Sequence, residues 1–455
     1  MSTSVNDKSW TSHSLFLLAS IGSTVGLSNI WKFTYLAGEN GGGAFVLVYI
    51  LSLLIMGIPI LAAEMLLGKR GRKDFAGTME ALSQHDGLHP GWINFARIGM
   101  TSVFIILSFY CVIAGWTADY TVASFLGLLD HVDAAGAQQF FTELMASPYR
   151  MMLGHGFVVL ATVWIVALGV REGLERSINW MMPALFVILL ALLIYSAFTG
   201  DFARAVSFLF NPDFARITPK VVLAAFGQAF FSLGIGLGVM LTYGAYMPQK
   251  SPLLSSVVTI AFSDGLVSIL AGLAIFPIVF QYGLSPTEGP GLIFMTLPIA
   301  FKEMPGTGFA GAFFFILLFF AALTSTISIL ESVISRLEEK LPYSRKKITI
   351  VAGIALWLVG LGTVFSFNLW SEWKPLAPLG ILSDKNFFET IDYLGSNLIM
   401  PLCGILMAVI AGWILKKDVV QQEMNLNSKT IFHTWYFLIR FIAPLMLAMV
   451  FLTNL

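Results

Sequence analysis

What most constrains this chain is a succession of apolar runs, at 46–67, 102–128 and 309–330 among others. A bilayer crossing takes about 20 residues. In lipid the backbone must satisfy its own hydrogen bonds, which leaves only helices or closed barrels. Barrel strands alternate with a period of two; these runs do not, so they read as helices. Composition agrees, with 57% hydrophobic and 11% charged residues, against roughly 25% charged in a soluble domain. Too little charge is present to clothe a water-facing surface.

The pattern predicts eleven spans, here called segments 1–11, at 12–36, 43–68, 91–128, 156–171, 177–199, 220–247, 253–281, 307–337, 346–369, 388–415 and 430–453. No low-complexity linker separates them, so 1–455 reads as a single transmembrane domain. With a cytoplasmic N-terminus, seventeen basic residues fall on the inner side, among them Lys69, Arg70, Arg72, Lys73, Arg336, Lys340 and Arg345, and seven on the outer side. Basic loops stay cytoplasmic, and an odd number of spans then puts the C-terminus outside. The polar start has no cleavage-site pattern, so no signal peptide is expected. Acidic and basic residues balance at 26 each, giving no reason to expect nucleic acid. Cys111 and Cys403 lie in apolar runs and read as small buried hydrophobes. The six histidines lack metal-ligand spacing.

Two segments carry glycine where a continuous helix would not want it. Segment 1 reads Gly22-Ser23-Thr24-Val25-Gly26-Leu27-Ser28-Asn29, and segment 6 has Gly227, Gly234, Gly236 and Gly238 within twelve residues. Glycine costs about 1 kcal/mol in a helix interior. In either segment alone, close helix packing is a sufficient explanation. Two such segments at matching places in two five-helix halves favour unwinding, the mark of an inverted-repeat transporter with a mid-membrane site.

At these residues the chain resembles the neurotransmitter:sodium symporters. The likeness is carried by Gly26-Leu27-Ser28-Asn29-Ile30-Trp31-Lys32-Phe33, Glu39-Asn40-Gly41-Gly42-Gly43-Ala44-Phe45, Gly227-Gln228-Ala229-Phe230-Phe231-Ser232-Leu233 and Ala321-Ala322-Leu323-Thr324-Ser325, and spans essentially the whole chain. It implies an all-α, five-plus-five inverted-repeat fold like that of the leucine transporter. The repeats would fall near 10–200 and 217–416, with an extra helix at 430–453. Eleven spans, as in many bacterial members, imply the plasma (inner) membrane of a prokaryote. The implied activity is sodium-coupled import of an α-amino acid by alternating access, with no enzymatic step, no organic cofactor and a monomer or weak homodimer. A non-transporting amino-acid receptor on the same scaffold is the alternative.

The resemblance implies two Na+ sites. The first would use the Thr24 carbonyl, Asn29, Ser232, Asp264 and the substrate carboxylate; the second the carbonyls of Gly22, Val25 and Ala321 with the hydroxyls of Thr324 and Ser325. An ionisable residue inside a span, such as Asp264, is functional by default. The family usually has Asn there, so the carboxylate would supply the negative charge that chloride brings elsewhere, and transport is expected to be chloride-independent. The substrate carboxylate would meet the amides of Leu27 and Ser28 at a positive helix end, with the Tyr110 hydroxyl. Monoamine carriers have Asp where this chain has Gly26, which favours an amino acid. The pocket would be lined by Ser23, Thr24, Gly26, Ser28, Ile106, Tyr110, Phe231, Ser232, Gly234, Leu237, Ser325, Ser328 and Ile329. Gly234 and Leu237 are smaller than the serine and phenylalanine at the matching positions of the family's leucine-binding member, so the resemblance implies room for a large hydrophobic or aromatic side chain.

Lys32 and Asp392 match the outer gate pair, with Tyr110 and Phe231 closing over the substrate. Lysine cannot form the bidentate fork of the usual arginine. Trp10, Tyr246 and Glu339 match the inner gate, where Lys8 would stand in for an arginine missing at Asp7. Glu64 and Gln228 read as structural, Glu64 as an acceptor for amides freed by the broken helices.

Overall fold

The computed structural model describes residues 10–130, 132–248, 251–287, 291–302, 307–426 and 428–453. The described residues form helices joined by turns and short loops, with no strand among them. Among them, nine helices are long and apolar enough to cross a membrane, and a tenth crossing is the bent pair His13–Thr24 and Ser28–Glu39. Segment 6, the eleventh expected crossing, is present as two shorter helices, Pro219–Ser232 and Val239–Tyr246, neither of them long enough to cross alone. Span ends differ from expectation chiefly at segment 4, which begins at Pro148 rather than 156. Pro148 follows Ser147, whose hydroxyl accepts the Arg150 amide. Proline at the first helical turn needs no amide partner, and the cap extends the helix into a polar stretch that hydropathy alone does not reach.

Segment 8, Thr307–Lys340, runs along segment 3, Gly91–Phe125, at the centre of the molecule. It is the most enclosed long helix, with 78% of its apolar window buried, whereas Lys429–Thr453 has 28% and lies at the periphery. Exposed side chains such as Trp164, Phe198, Phe157 and Leu445 then face lipid, where burying them would gain nothing. Shorter helices that hydropathy does not predict connect the spans: Phe75–His85, Ala134–Ala146, Phe202–Phe210 and Lys417–Met424.

Both glycine-rich stretches interrupt their helices. In segment 1, Val25 leaves helical geometry at ψ 102°, and the two half-helices meet at 54°. In segment 6, Gly234, Gly236 and Gly238 all have positive φ, at 62°, 86° and 69°. That alternation is open to glycine and costly to other residues. Gly22 instead serves packing, since a Cβ there would meet Met182 Sδ at 2.8 Å.

Candidate functional site

The breaks leave backbone groups to be satisfied at mid-membrane. The Gly26 amide, which would close the next turn onto the Gly22 carbonyl, donates instead to Asn29 Oδ1 at 3.0 Å. The Leu27 amide reaches the Tyr110 hydroxyl at 3.4 Å. Across the gap, Glu64 is fully buried and accepts the amides of Gly236 and Leu241 at 3.2 and 3.4 Å. The Gln228 amide donates to the Ser28 carbonyl at 2.8 Å, tying the two broken segments together.

Asp264 sits behind the segment 1 break with no exposed surface. Its carboxylate accepts from Asn29 Nδ2 at 2.7 Å, the Ser232 hydroxyl at 2.8 Å and the Tyr49 hydroxyl at 3.3 Å. Ser268 joins the cluster, accepting from Asn29 Nδ2 at 3.0 Å and standing 3.2 Å from Tyr49. A buried carboxylate is tolerated when donors of this kind surround it. Asn29, Ser232 and Asp264 are brought together as the sequence predicts; Tyr49 is an addition. A tyrosine in the apolar run of segment 2 carries no signal of its own, because its hydroxyl finds Asp264 only across the fold.

On segment 8, Ala321, Thr324 and Ser325 fall on one face, spaced three and four residues apart. Thr324 donates to the carbonyls of Phe320 and Ala321 at 3.0 and 3.1 Å, and Ser325 to that of Ala321 at 3.2 Å. A hydroxyl that donates backward along its helix keeps oxygen lone pairs free to face outward. Ser325 Oγ also lies 3.4 Å from the Ser23 carbonyl, so this face of segment 8 abuts the unwound stretch. The oxygens gathered there suit a hard monovalent cation.

Between these groups is a small cavity of about 50 Å³. Its lining includes twelve of the fourteen expected substrate-binding residues, all but Leu27 and Ser328: Ser23, Thr24, Gly26, Ser28, Ile106, Tyr110, Phe231, Ser232, Gly234, Leu237, Ser325 and Ile329. Ser328 is outside it, its hydroxyl accepting from Tyr243 and donating to the Thr324 carbonyl, both at 2.8 Å. Leu233, Val239, Met240 and Met400 also line the cavity, beyond the expected set. Leu27 faces the other way, into a vestibule of about 540 Å³ that also holds Lys32, Asp392 and Tyr110. Phe231 borders both spaces and separates them.

The gates differ in detail from expectation. Lys32 Nζ rests over the Phe231 ring, 4.0 Å from its centroid, and Asp392 accepts from the Ser396 hydroxyl at 2.8 Å. The opposite charges share the vestibule, but each has another partner in place of the expected gate pair. On the other membrane side Trp10 is buried edge-on against Tyr243, and its amide donates to the Tyr246 carbonyl at 3.3 Å. Lys8 and Asp7 lie outside the described residues. The Tyr246 hydroxyl donates to Glu331 at 3.2 Å and Ser335 at 2.7 Å. Glu331 is fully buried and ion-paired with Arg345, which also binds Glu338 at 3.2 Å. Glu331 is a further residue beyond the expected gate, although an acid seven residues before Glu338 on one helix marks a shared face.

A family model described as the sodium:neurotransmitter symporter family matches residues 7–143 and 149–455. An uncharacterized sodium-dependent transporter of Bacillus subtilis, YhdH, is 36% identical over 447 residues, covering 97% of this chain and 96% of its own. One from Haemophilus influenzae is 31% identical, with 98% of each chain covered. The solved structure of MhsT in complex with L-phenylalanine superposes with a TM-score of 0.88 at 39% identity, over 98% of this chain and 99% of that one.

Proposed function

The chain belongs to the sodium:neurotransmitter symporter family of multi-pass membrane transporters, and from that premise we propose that it imports a large hydrophobic or aromatic α-amino acid together with two sodium ions, without chloride. The observation that carries this reading is the cavity lining. Ser23, Thr24, Gly26, Ser28, Tyr110 and Ser325 offer oxygens and backbone to a zwitterionic end, while Ile106, Leu237, Val239, Met240, Ile329 and Met400 offer an apolar side-chain pocket. Gly26 leaves no carboxylate for a lone amine. MhsT, bound to L-phenylalanine in its solved structure, supports the same substrate class.

The carboxylate of the substrate would meet the Tyr110 hydroxyl and the amides of Leu27 and Ser28, and complete the first sodium shell with Asn29, Ser232, Asp264 and the Thr24 carbonyl. Asn29 would then turn its carbonyl oxygen toward the ion. The second ion would sit among Gly22, Val25, Ala321, Thr324 and Ser325. The Asp264 carboxylate already accepts the hydroxyls of Tyr49 and Ser232, with Ser268 on its backbone carbonyl, which supports chloride independence. With the vestibule on the outer face, Phe231 is the lid and the Trp10–Tyr243 and Tyr246–Glu331–Arg345 contacts close the inner side. Transport would then rock segments 1, 2, 6 and 7 against 3, 4, 8 and 9.

The test is thermal stability of detergent-purified protein with each of the twenty amino acids, in sodium and in potassium, followed by uptake into proteoliposomes. A ligand that binds the folded state raises its stability by mass action. The expected result is a shift for large apolar or aromatic amino acids, present only in sodium, with sodium-driven uptake of the same compounds. A shift without uptake would make the protein a receptor, and no shift with any amino acid would sink the substrate class.

A further inference from the structure

A second cavity lies away from the transport path. Segments 3, 8 and 9 leave a groove of about 690 Å³ where segment 3 begins, segment 8 ends and segment 9 starts. Its floor is apolar, with Phe104 and Ala352 below and the exposed Val351 at the rim. Arg97, Arg336 and Lys347 line its polar end, and Lys347 Nζ stands 4.2 Å over the ring of the exposed Tyr343. An interfacial tyrosine beside a lysine marks a membrane–water boundary.

The charges here do not balance. Glu80 accepts from Arg336 at 2.6 Å and Lys340 at 3.1 Å and stands 3.6 Å from Arg97, while Asp74 lies 3.7 Å from Arg336. Counting Lys347, four cations therefore face three carboxylates, the third being Glu339, whose charge also acts on Arg336. The excess sits at the mouth of a groove whose walls match an acyl chain. We propose that this groove binds an anionic glycerophospholipid, its phosphate on Arg97 and Lys347, with Arg336 behind, and one acyl chain along Phe104 and Val351. Basic pockets between membrane helices recognise such headgroups at about 1 kcal/mol per cation. Because Arg336 and Lys340 also hold Glu80, the lipid would brace the helix Phe75–His85 against segment 8, on the side where the inner contacts close.

The experiment is native mass spectrometry of the delipidated protein titrated with phosphatidylglycerol, phosphatidylcholine or soluble glycerol phosphate. Phosphatidylglycerol is expected to bind selectively, and the Arg97→Gln/Lys347→Gln double variant to bind it roughly thirtyfold more weakly, two cations at about 1 kcal/mol each. A second variant, Ala352→Leu, leaves the charges in place, fills the floor and is expected to reduce retention too. Sodium-dependent stabilisation by amino acids should persist in both variants, which reports their folding. Equal binding of the two lipids, retention unchanged in the double variant, or soluble glycerol phosphate binding as tightly as the lipid would each overturn the proposal. Since the readout is lipid retention, its failure is distinct from a failure of the transport reading.

Discussion

A Cβ on Gly26 would lie 2.8 Å from Ser325 Oγ and 3.1 Å from the Tyr110 hydroxyl, so the site is built around a side chain that is not there. Gly26→Ala is expected to weaken amino-acid binding roughly tenfold or more, as overpacking by one methyl costs about 1–3 kcal/mol; isothermal titration in sodium measures it. Asp264 allows a sharper test. Wild-type uptake should be unchanged when gluconate replaces chloride, while Asp264→Asn, with the fixed charge gone, should bind sodium more weakly and recover with chloride. A variant whose rate ignores chloride would remove that role from Asp264. These residues stand out in the sequence because a carboxylate in a span and a glycine in a helix both break a local rule. Tyr49, Met240 and Met400 break none. A tyrosine or methionine in an apolar run is ordinary, and only the fold brings these side chains to one cavity and one carboxylate.

Among elements, the two broken helices are legible because the interruption is written in local backbone preference. Gly236→Ala drives a methyl into the Met400 carbonyl at a φ of 86°. It should cost well over the 1–2 kcal/mol of left-handed backbone alone. Gly227 lies inside Pro219–Ser232, and a methyl added there would have nothing within 4 Å, so it should behave oppositely. Gly227→Ala is expected to stabilise by about 1 kcal/mol, and melting curves of the pair give the contrast. The connecting helices are illegible from hydropathy because they are short and amphipathic, held by partners distant in sequence. Phe75–His85 is the clearest case, pinned through Glu80 to Arg336 and Lys340. Hydrogen bonding to Arg336 foremost, and to Lys340, lowers the Glu80 carboxyl to about 2 from 4.5. A depressed carboxylate pKa stabilises fully above the unfolded value and is lost as pH falls from about 4.5 through 2. The melting-temperature gap between wild type and Glu80→Gln should accordingly be wide at pH 6, narrower at pH 3, and closed only below about pH 2. A gap that stays constant would mean the carboxylate charge is irrelevant.

For the whole molecule, the asymmetry between its two sides matters most. One side has an open vestibule above Phe231; the other is shut by Trp10 against Tyr243 and by the Glu331–Arg345 pair. Removing one member of a buried ion pair costs about 3–5 kcal/mol because the other charge is stranded. Arg345 would keep Glu338 as a partner, so Glu331→Ala is expected to lower stability by less than that range, and cysteine labelling from the Trp10 side should accelerate at positions lining the break. A Glu331→Gln/Arg345→Met double variant should regain much of the stability, since two neutral groups replace the pair, but not the slow labelling.

The row of glycines in segment 6 also bears on how such a protein changes over generations. At Gly236 and Gly238 a side chain would strike the Met400 carbonyl or the Phe75 ring, and the backbone at both is left-handed. Those positions are closed to mutation, whatever amino acid the environment offers. The neighbours Leu237, Met240 and Met400 line the same cavity on ordinary backbone. A lineage seeking a new nutrient would thus leave the glycine row alone and explore the side chains beside it, so that diet diverges quickly while the break in the helix stands still.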